Sequence, residues 1–117
     1  MLTSPATCSA AELFIHAIRE QLVPSAQITV IGEPTCGKPF GYSSPLYFGY
    51  RHQVINTAIV DAQGQPAYPN GIAPDCTVRD DFKSVVLSSQ DALWQATRHV
   101  IQTGQCPKLA DAQRHVP

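Results

Sequence analysis

The sequence contains no apolar run that approaches the ~18 residues a membrane-spanning helix requires, so nothing in it reads as a span. Positive charge is neither abundant nor clustered. The formal net charge is −1, and the Lys and Arg residues are scattered rather than gathered into a stripe. Binding to nucleic acid by neutralising phosphates needs such a stripe, so that class is excluded. The N-terminus lacks a basic segment followed by an apolar stretch, and no targeting signal is expected in this chain. Internal repeats and low-complexity tracts are absent too. The four cysteines, Cys8, Cys36, Cys76 and Cys106, include no C-x-x-C pair, which removes the zinc-knuckle reading. An even count permits two disulfides in three connectivities, against the alternative of four buried thiols.

What is present suits an ordinary globular protein: 44% apolar and 15% charged residues, in a chain of 117 that is long enough for one small domain. Leu2 reads as the tail of a strand, and Ser4-Pro5 as a turn. From Ser9 to Leu22, the residues Leu13, Phe14, Ala17, Ile18 and Leu22 share one helical face. Glu12 lies three residues after Ser9, where a capping box would place an acidic side chain. Pro24-Ser25 closes that helix. Gln27 to Ile31 is rich in β-branched residues and reads as a buried strand ending at Gly32.

Glu33 to Pro45, broken by prolines and glycines, reads as a long structured loop. Strands are expected at Leu46 to Tyr50 and at Gln53 to Val60. Pro66 to Pro74 is a loop with Asn70-Gly71 as its turn, and Thr77 to Arg79 is a short strand. A last helix, capped by Ser88 or Ser89, runs to about Thr103 with Ala92, Leu93, Ala96, Val100 and part of Trp94 inward, and Gly104 ends it. Leu109 to Pro117 shows no periodicity and reads as a loose tail. The order of elements implies an α/β or α+β fragment. One buried strand needs neighbours on both sides, and few candidates are evident.

Two segments carry the chemistry: Thr7-Cys8-Ser9-Ala10-Ala11-Glu12-Leu13 and Gly32-Glu33-Pro34-Thr35-Cys36-Gly37-Lys38. A Ser in the first turn of a helix lies beside N–H groups with no intrahelical partner, at the positive end of the dipole, where a developing oxyanion is favoured. The small side chains of Ala10 and Ala11 leave room for a substrate carbonyl. A hydroxyl nucleophile still needs a base. His16 is two turns along the helix, about 10 Å away by helix rise, so no Ser-His-Asp set is evident. Lys38 follows a strand that can lie beside the helix, which makes a Ser-Lys dyad reasonable. Such a lysine must be neutral near pH 7, and an apolar setting of Pro34, Cys36, Pro39 and Phe40 is of the kind that favours the neutral amine. A nearby Glu12 carboxylate would act in the opposite sense.

These two blocks, followed by Gly71-Ile72-Ala73-Pro74-Asp75-Cys76-Thr77-Val78, resemble the tail-specific (C-terminal processing) serine peptidases. That family shows a T-x-S-A-x-E block, a G-E-x-T-x-G-K block and a G-I-x-P-D block in this order, and the likeness covers roughly residues 2 to 106. The resemblance implies Ser9 as nucleophile, Lys38 as general base and the Ala10 N–H as an oxyanion donor, with Glu12 as an acidic neighbour in a supporting role. It implies a crotonase/caseinolytic-protease-like α/β fold, here a βαβ fragment with additional strands and a C-terminal helix. Residues 1–106 would be part of a peptidase core, and 107–117 a tail. The stretch between Ser9 and Lys38 is a few residues longer than in the commoner members, and the Glu20–Gln27 connection accommodates the excess. A peptide-binding domain, the first strands of the core and a second oxyanion donor would lie upstream of these residues. The resemblance also implies an exported, periplasmic or secreted parent protein.

Blander and rival readings stand beside this one. Ser9 alone would be an ordinary helix cap, and Lys38 alone a solvated charge. Gly32 to Lys38 also fits most of a phosphate-binding loop, but Pro39 replaces the required Ser or Thr, and the following residues cannot sustain a helix. Glu12 and His16 share a helix face without a third metal ligand, so no metal is expected, and no cofactor either. His52, His99 and His115 read as surface residues, Asp80-Asp81 as a solvated turn, and Phe40, Tyr42, Tyr47, Phe48 and Tyr50 as core. Two functions follow: a serine endopeptidase acting on unstructured or C-terminal polypeptide segments, or an inactive binding module that forms homo-oligomers through exposed strand edges.

Overall fold

A computed structural model describes residues 1–22, 28–80, 83 and 85–108. Its centre is a small parallel sheet of β1 (Leu2–Thr3), β2 (Ile31–Gly32) and β7 (Cys76–Thr77), with β2 in the middle. Leu2 and Cys76 both pair with Ile31, and Thr3 and Thr77 with Gly32. The central strand therefore finds both of its neighbours within this chain, against the expectation of few candidates. Alternation along the β2 backbone sends consecutive side chains to opposite faces. Val30 joins one buried cluster with Ile15, Tyr68 and Ile72, while Ile31 joins another with Cys76, Val78 and Ala96. Helix α1 (Ala10–Ala17) covers the first face and α2 (Ala92–Thr103) the second. The architecture is α/β, with the parallel sheet between two helices.

Helix α1 continues into one π-helical turn, Ile18–Leu22. The face it buries is not the one its apolar spacing suggests. Glu12 and Ile15 point inward, while Leu13 and Phe14 are exposed. The physical reason is polar: Glu12 must reach donors on a neighbouring loop, and that demand sets the rotation of the helix. Phe14 and Ile18 then line a shallow apolar cleft with Met1, Ile28 and Thr29.

Helix α2 begins later than expected, because Asp91 rather than Ser88 or Ser89 caps it and accepts the Trp94 N–H at 3.0 Å. Its inward residues are those expected: Ala96 is buried, with Ala92, Leu93 and Val100 packed around it. Gly104 ends the helix in the left-handed conformation, its N–H donating to the Val100 carbonyl. Two disulfides, Cys8–Cys36 and Cys76–Cys106, select one of the three connectivities.

From Phe40 to Ala58 the chain forms an arm. Strand β3 (Phe40–Ser43) pairs antiparallel with β6 (Val54–Ala58), with an irregularity between Gly41 and Tyr42. Residues 40–43 thus form a strand inside the segment expected to be loop. Beyond lies a short hairpin of β4 (Leu46–Tyr47) and β5 (Tyr50–Arg51), so Leu46 to Tyr50 is two strands and a turn rather than one strand. Aromatic character had pointed to the core, but Tyr42, Tyr47, Phe48 and Tyr50 are exposed and Phe40 is half-buried. Pro24-Ser25, the start of the Gln27 strand, Asp81, and the tail from Leu109 to Pro117 with His115 lie outside the described residues. Among the described residues, no helix is long and apolar enough to cross a membrane.

Candidate functional site

Ser9 occupies the turn between β1 and α1 with φ 56° and ψ −114°. A helix-capping Ser ordinarily lies in the extended region. Positive φ at a non-glycine residue costs on the order of 1–3 kcal/mol, and it persists only where the surroundings enforce it. Here they do so from both sides. Ahead of Ser9, Cys8 is bonded covalently to Cys36, and the Thr7 carbonyl accepts the Cys36 N–H at 3.0 Å. After it, the Glu12 carboxylate accepts the Ser9 N–H at 2.8 Å. Ser9 therefore differs from an ordinary cap in its backbone, the one feature a sequence does not print.

Glu12 is the centre of the arrangement. Its side chain is 0% exposed, and its two oxygens accept four close hydrogen bonds. Oε2 takes the N–H of Ser9 and that of Lys38, the latter at 2.9 Å, while Oε1 takes the Thr35 hydroxyl at 2.5 Å and the Gly37 N–H at 2.7 Å. Burial alone would push this carboxyl's pKa up. The Thr35 hydroxyl and the N–H groups of Lys38, Gly37 and Ser9 outweigh it and hold the pKa below the ordinary carboxylate value. Because Ser9 and Lys38 donate to the same oxygen, their main-chain nitrogens are no further apart than those two bonds laid end to end.

The third sequence block closes the site from below. Thr35 Oγ1 accepts the Ile72 N–H at 2.6 Å while donating to Glu12, and the Thr35 N–H donates to the Ile72 carbonyl. Gly37 and Gly71 meet here. A Cβ on Gly37 would lie 2.7 Å from both Gly71 N and the Pro69 carbonyl oxygen, and one on Gly71 would collide with the Thr35 carbonyl. Both glycines also have positive φ, 77° and 81°. Asp75, in the same block, is a clamp away from Ser9: it accepts the Val30 N–H and the Arg19 guanidinium, each at 2.6 Å.

Lys38 is half-buried, yet its setting is not the closed apolar one expected. Pro34 and Cys36 are exposed, and only Pro39 is buried. The ammonium nitrogen instead lies 5.6 Å from the Phe40 ring centroid and 5.3 Å from that of Tyr42, over two aromatic faces that attract a cation. Ala10 is the first residue of α1, where an N–H has no intrahelical acceptor. The arrangement therefore offers a strained, half-exposed hydroxyl, an N–H at the positive end of a helix, and an amine on a loop tied to both.

The phosphate-loop reading, already disfavoured by Pro39, finds no support here. The Gly37 and Lys38 N–H groups that would cradle a phosphate are taken by Glu12, and a strand follows instead of a helix. His16 packs edge-on against Tyr68 with ring centroids 5.7 Å apart. The Tyr68 hydroxyl is buried without a hydrogen-bond partner among the described residues, and burial, then the Glu12 charge, raises its pKa. His52 and His99 are exposed, as expected. No group of three potential metal ligands occurs among the described residues. Sequence reasoning missed the roles of Thr35 and Tyr42; Thr35 stands inside a quoted block, but nothing in the sequence signals that Tyr42 faces Lys38.

Compared with models of known protein families and with curated proteins, the chain matches none.

Proposed function

We propose that the chain carries the nucleophile and base of a serine endopeptidase of the tail-specific type, on a crotonase/caseinolytic-protease-like core, acting on unstructured or C-terminal polypeptide segments. The observation that carries this reading is the strained Ser9 turn held beside the Lys38 loop by one buried carboxylate. In the first step Lys38 acts as general base and takes the Ser9 hydroxyl proton as Oγ attacks the scissile carbonyl. The Ala10 N–H stabilises the oxyanion. The tetrahedral species collapses, the leaving amine takes the proton from Lys38, and water hydrolyses the acyl-serine by the same route. Glu12 touches no reacting atom in this scheme and acts as a positioning residue. Two disulfides fit an oxidising compartment, hence a periplasmic or secreted parent protein.

A second reading rests on the arm. Phe48 is 99% exposed, and Leu46, Tyr47, Tyr50, Val54 and Ile55 are also exposed on the same arm. Exposed apolar residues gathered on one arm favour an interaction site, so homo-oligomerisation without catalysis is the alternative, through the arm more than through the sheet edges. The test is cleavage of unstructured peptides, read by mass spectrometry across pH 6 to 10, by the folded chain and its Ser9→Ala variant. Cleavage by the parent and none by the variant supports the peptidase. A folded but inert parent chain that sediments as an oligomer supports the alternative.

A further inference from the structure

The Cys8–Cys36 disulfide joins the residue before Ser9 to the residue two before Lys38, so it bridges the nucleophile turn and the base loop directly. Cys8 and Cys36 Cα atoms are 5.3 Å apart, and the bridge runs alongside the Thr7–Cys36 hydrogen bond. It is the only covalent link between the two segments among the described residues, the other ties being hydrogen bonds to Glu12 and Thr7. The strained φ of Ser9 needs restraint on both flanks, and Glu12 supplies only the one that follows it. Cys36 is an exposed residue with its Sγ 3.7 Å from Glu12 Oε2, so the bridge lies between the surface and the buried carboxylate.

We infer that Cys8–Cys36 is a positioning clamp for the dyad and that its reduction by a dithiol loosens the site while the fold persists. A thiolate of the dithiol attacks Cys36 Sγ, forming a mixed disulfide and releasing Cys8 as a thiolate that takes up a proton. The second thiol of the reductant then displaces Cys36, leaving two cysteine thiols and an oxidised dithiol, with two electrons and two protons transferred. This inference rests on the nucleophile reading of Ser9 for its catalytic meaning, but the clamp itself has a readout of its own. The other disulfide, Cys76–Cys106, ties β7 to the exit of α2 and has no such role.

The experiment uses the whole chain with both cysteines of the second bridge replaced, C76A/C106A, so that dithiothreitol acts on one disulfide. Three signals are followed: labelling of Ser9 by a fluorophosphonate, amide hydrogen exchange over residues 7–13 and 35–38, and helical circular dichroism. On reduction, labelling is expected to slow at least tenfold and exchange at Gly37 and Lys38 to quicken by a similar factor, while the circular dichroism holds. Loss of circular dichroism together with labelling would make the bridge a general staple and overturn the inference. So would labelling and exchange that ignore reduction. A chain that never labels counts against the peptidase, and exchange then decides the clamp alone.

Discussion

The body around the parallel sheet and the arm that leaves it are built on opposite terms. Strands of the body are two residues each, whereas the arm holds the longest strands among the described residues, β3 and β6. Yet every residue of β6 is exposed, and the body contains both buried clusters, both disulfides and the buried Glu12. Regular pairing without burial contributes little, since a two-stranded ribbon in water is marginal at best. The candidate site lies in the irregular region because burial and satisfied polar contacts, rather than ladder length, are what can hold a strained turn.

The contrast breaks most sharply at Glu12. Glu12→Ala leaves the Thr35 hydroxyl and the N–H groups of Ser9, Gly37 and Lys38 without their acceptor, and a loss of about 3–5 kcal/mol is expected in urea denaturation. Ile55→Ala on the arm, by comparison, should fall within about 0.5 kcal/mol of the parent. Equal effects at the two positions would end the distinction. Protonation removes the same interactions more gently. The Glu12 pKa is lower folded than unfolded, so its contribution is complete above about pH 4.3, the unfolded value, and disappears as pH falls through the folded one. Stability should therefore drop on acidification below about pH 4.3, and Glu12→Gln should lack that part of the drop.

Gly71→Ala comes next. The added methyl meets the Thr35 carbonyl in a backbone conformation of φ 81°, and a cost of about 2–4 kcal/mol follows from strain and overpacking together. Because the Thr35 carbonyl must shift, peptide cleavage should fall at least tenfold in whatever fraction remains folded. A fully active, stable Gly71→Ala would show that the three blocks need not touch.

Several features were legible in the sequence because they are local or periodic. Ser9 at a helix start with Glu12 three residues on, the inward face of α2, and the end at Gly104 all follow from spacing alone. The rotation of α1 was hidden, since Leu13 and Phe14 are as apolar as Ile15 and only the distant donors at Gly37 and Lys38 decide which face turns in. The arm was misread for a related reason. Aromatic residues report a preference for burial, but where Tyr47, Phe48 and Tyr50 end up depends on whether a surface exists to receive them. The three motif blocks announced their order and Glu12 its place beside the dyad, but that its carboxylate joins the first two blocks while Thr35 carries the third shows only in the folded chain.

The smallest expected effect sharpens the contrast from the other side. Phe48 has φ 50° in the two-residue turn between β4 and β5, a left-handed conformation that costs a bulky L-residue about 1–2 kcal/mol, and its ring is 99% exposed. Asn followed by Gly suits such a turn far better. Phe48→Asn should therefore stabilise the isolated chain by about 0.5–1 kcal/mol, which no substitution in the Glu12 hub can do. Denaturation at two protein concentrations gives this variant a second use. A gain at both concentrations means that the ring serves nothing in this chain. A gain when dilute that becomes a loss when concentrated means that the ring is held by a second copy, so that the strain at Phe48, like that at Ser9, is kept for a contact.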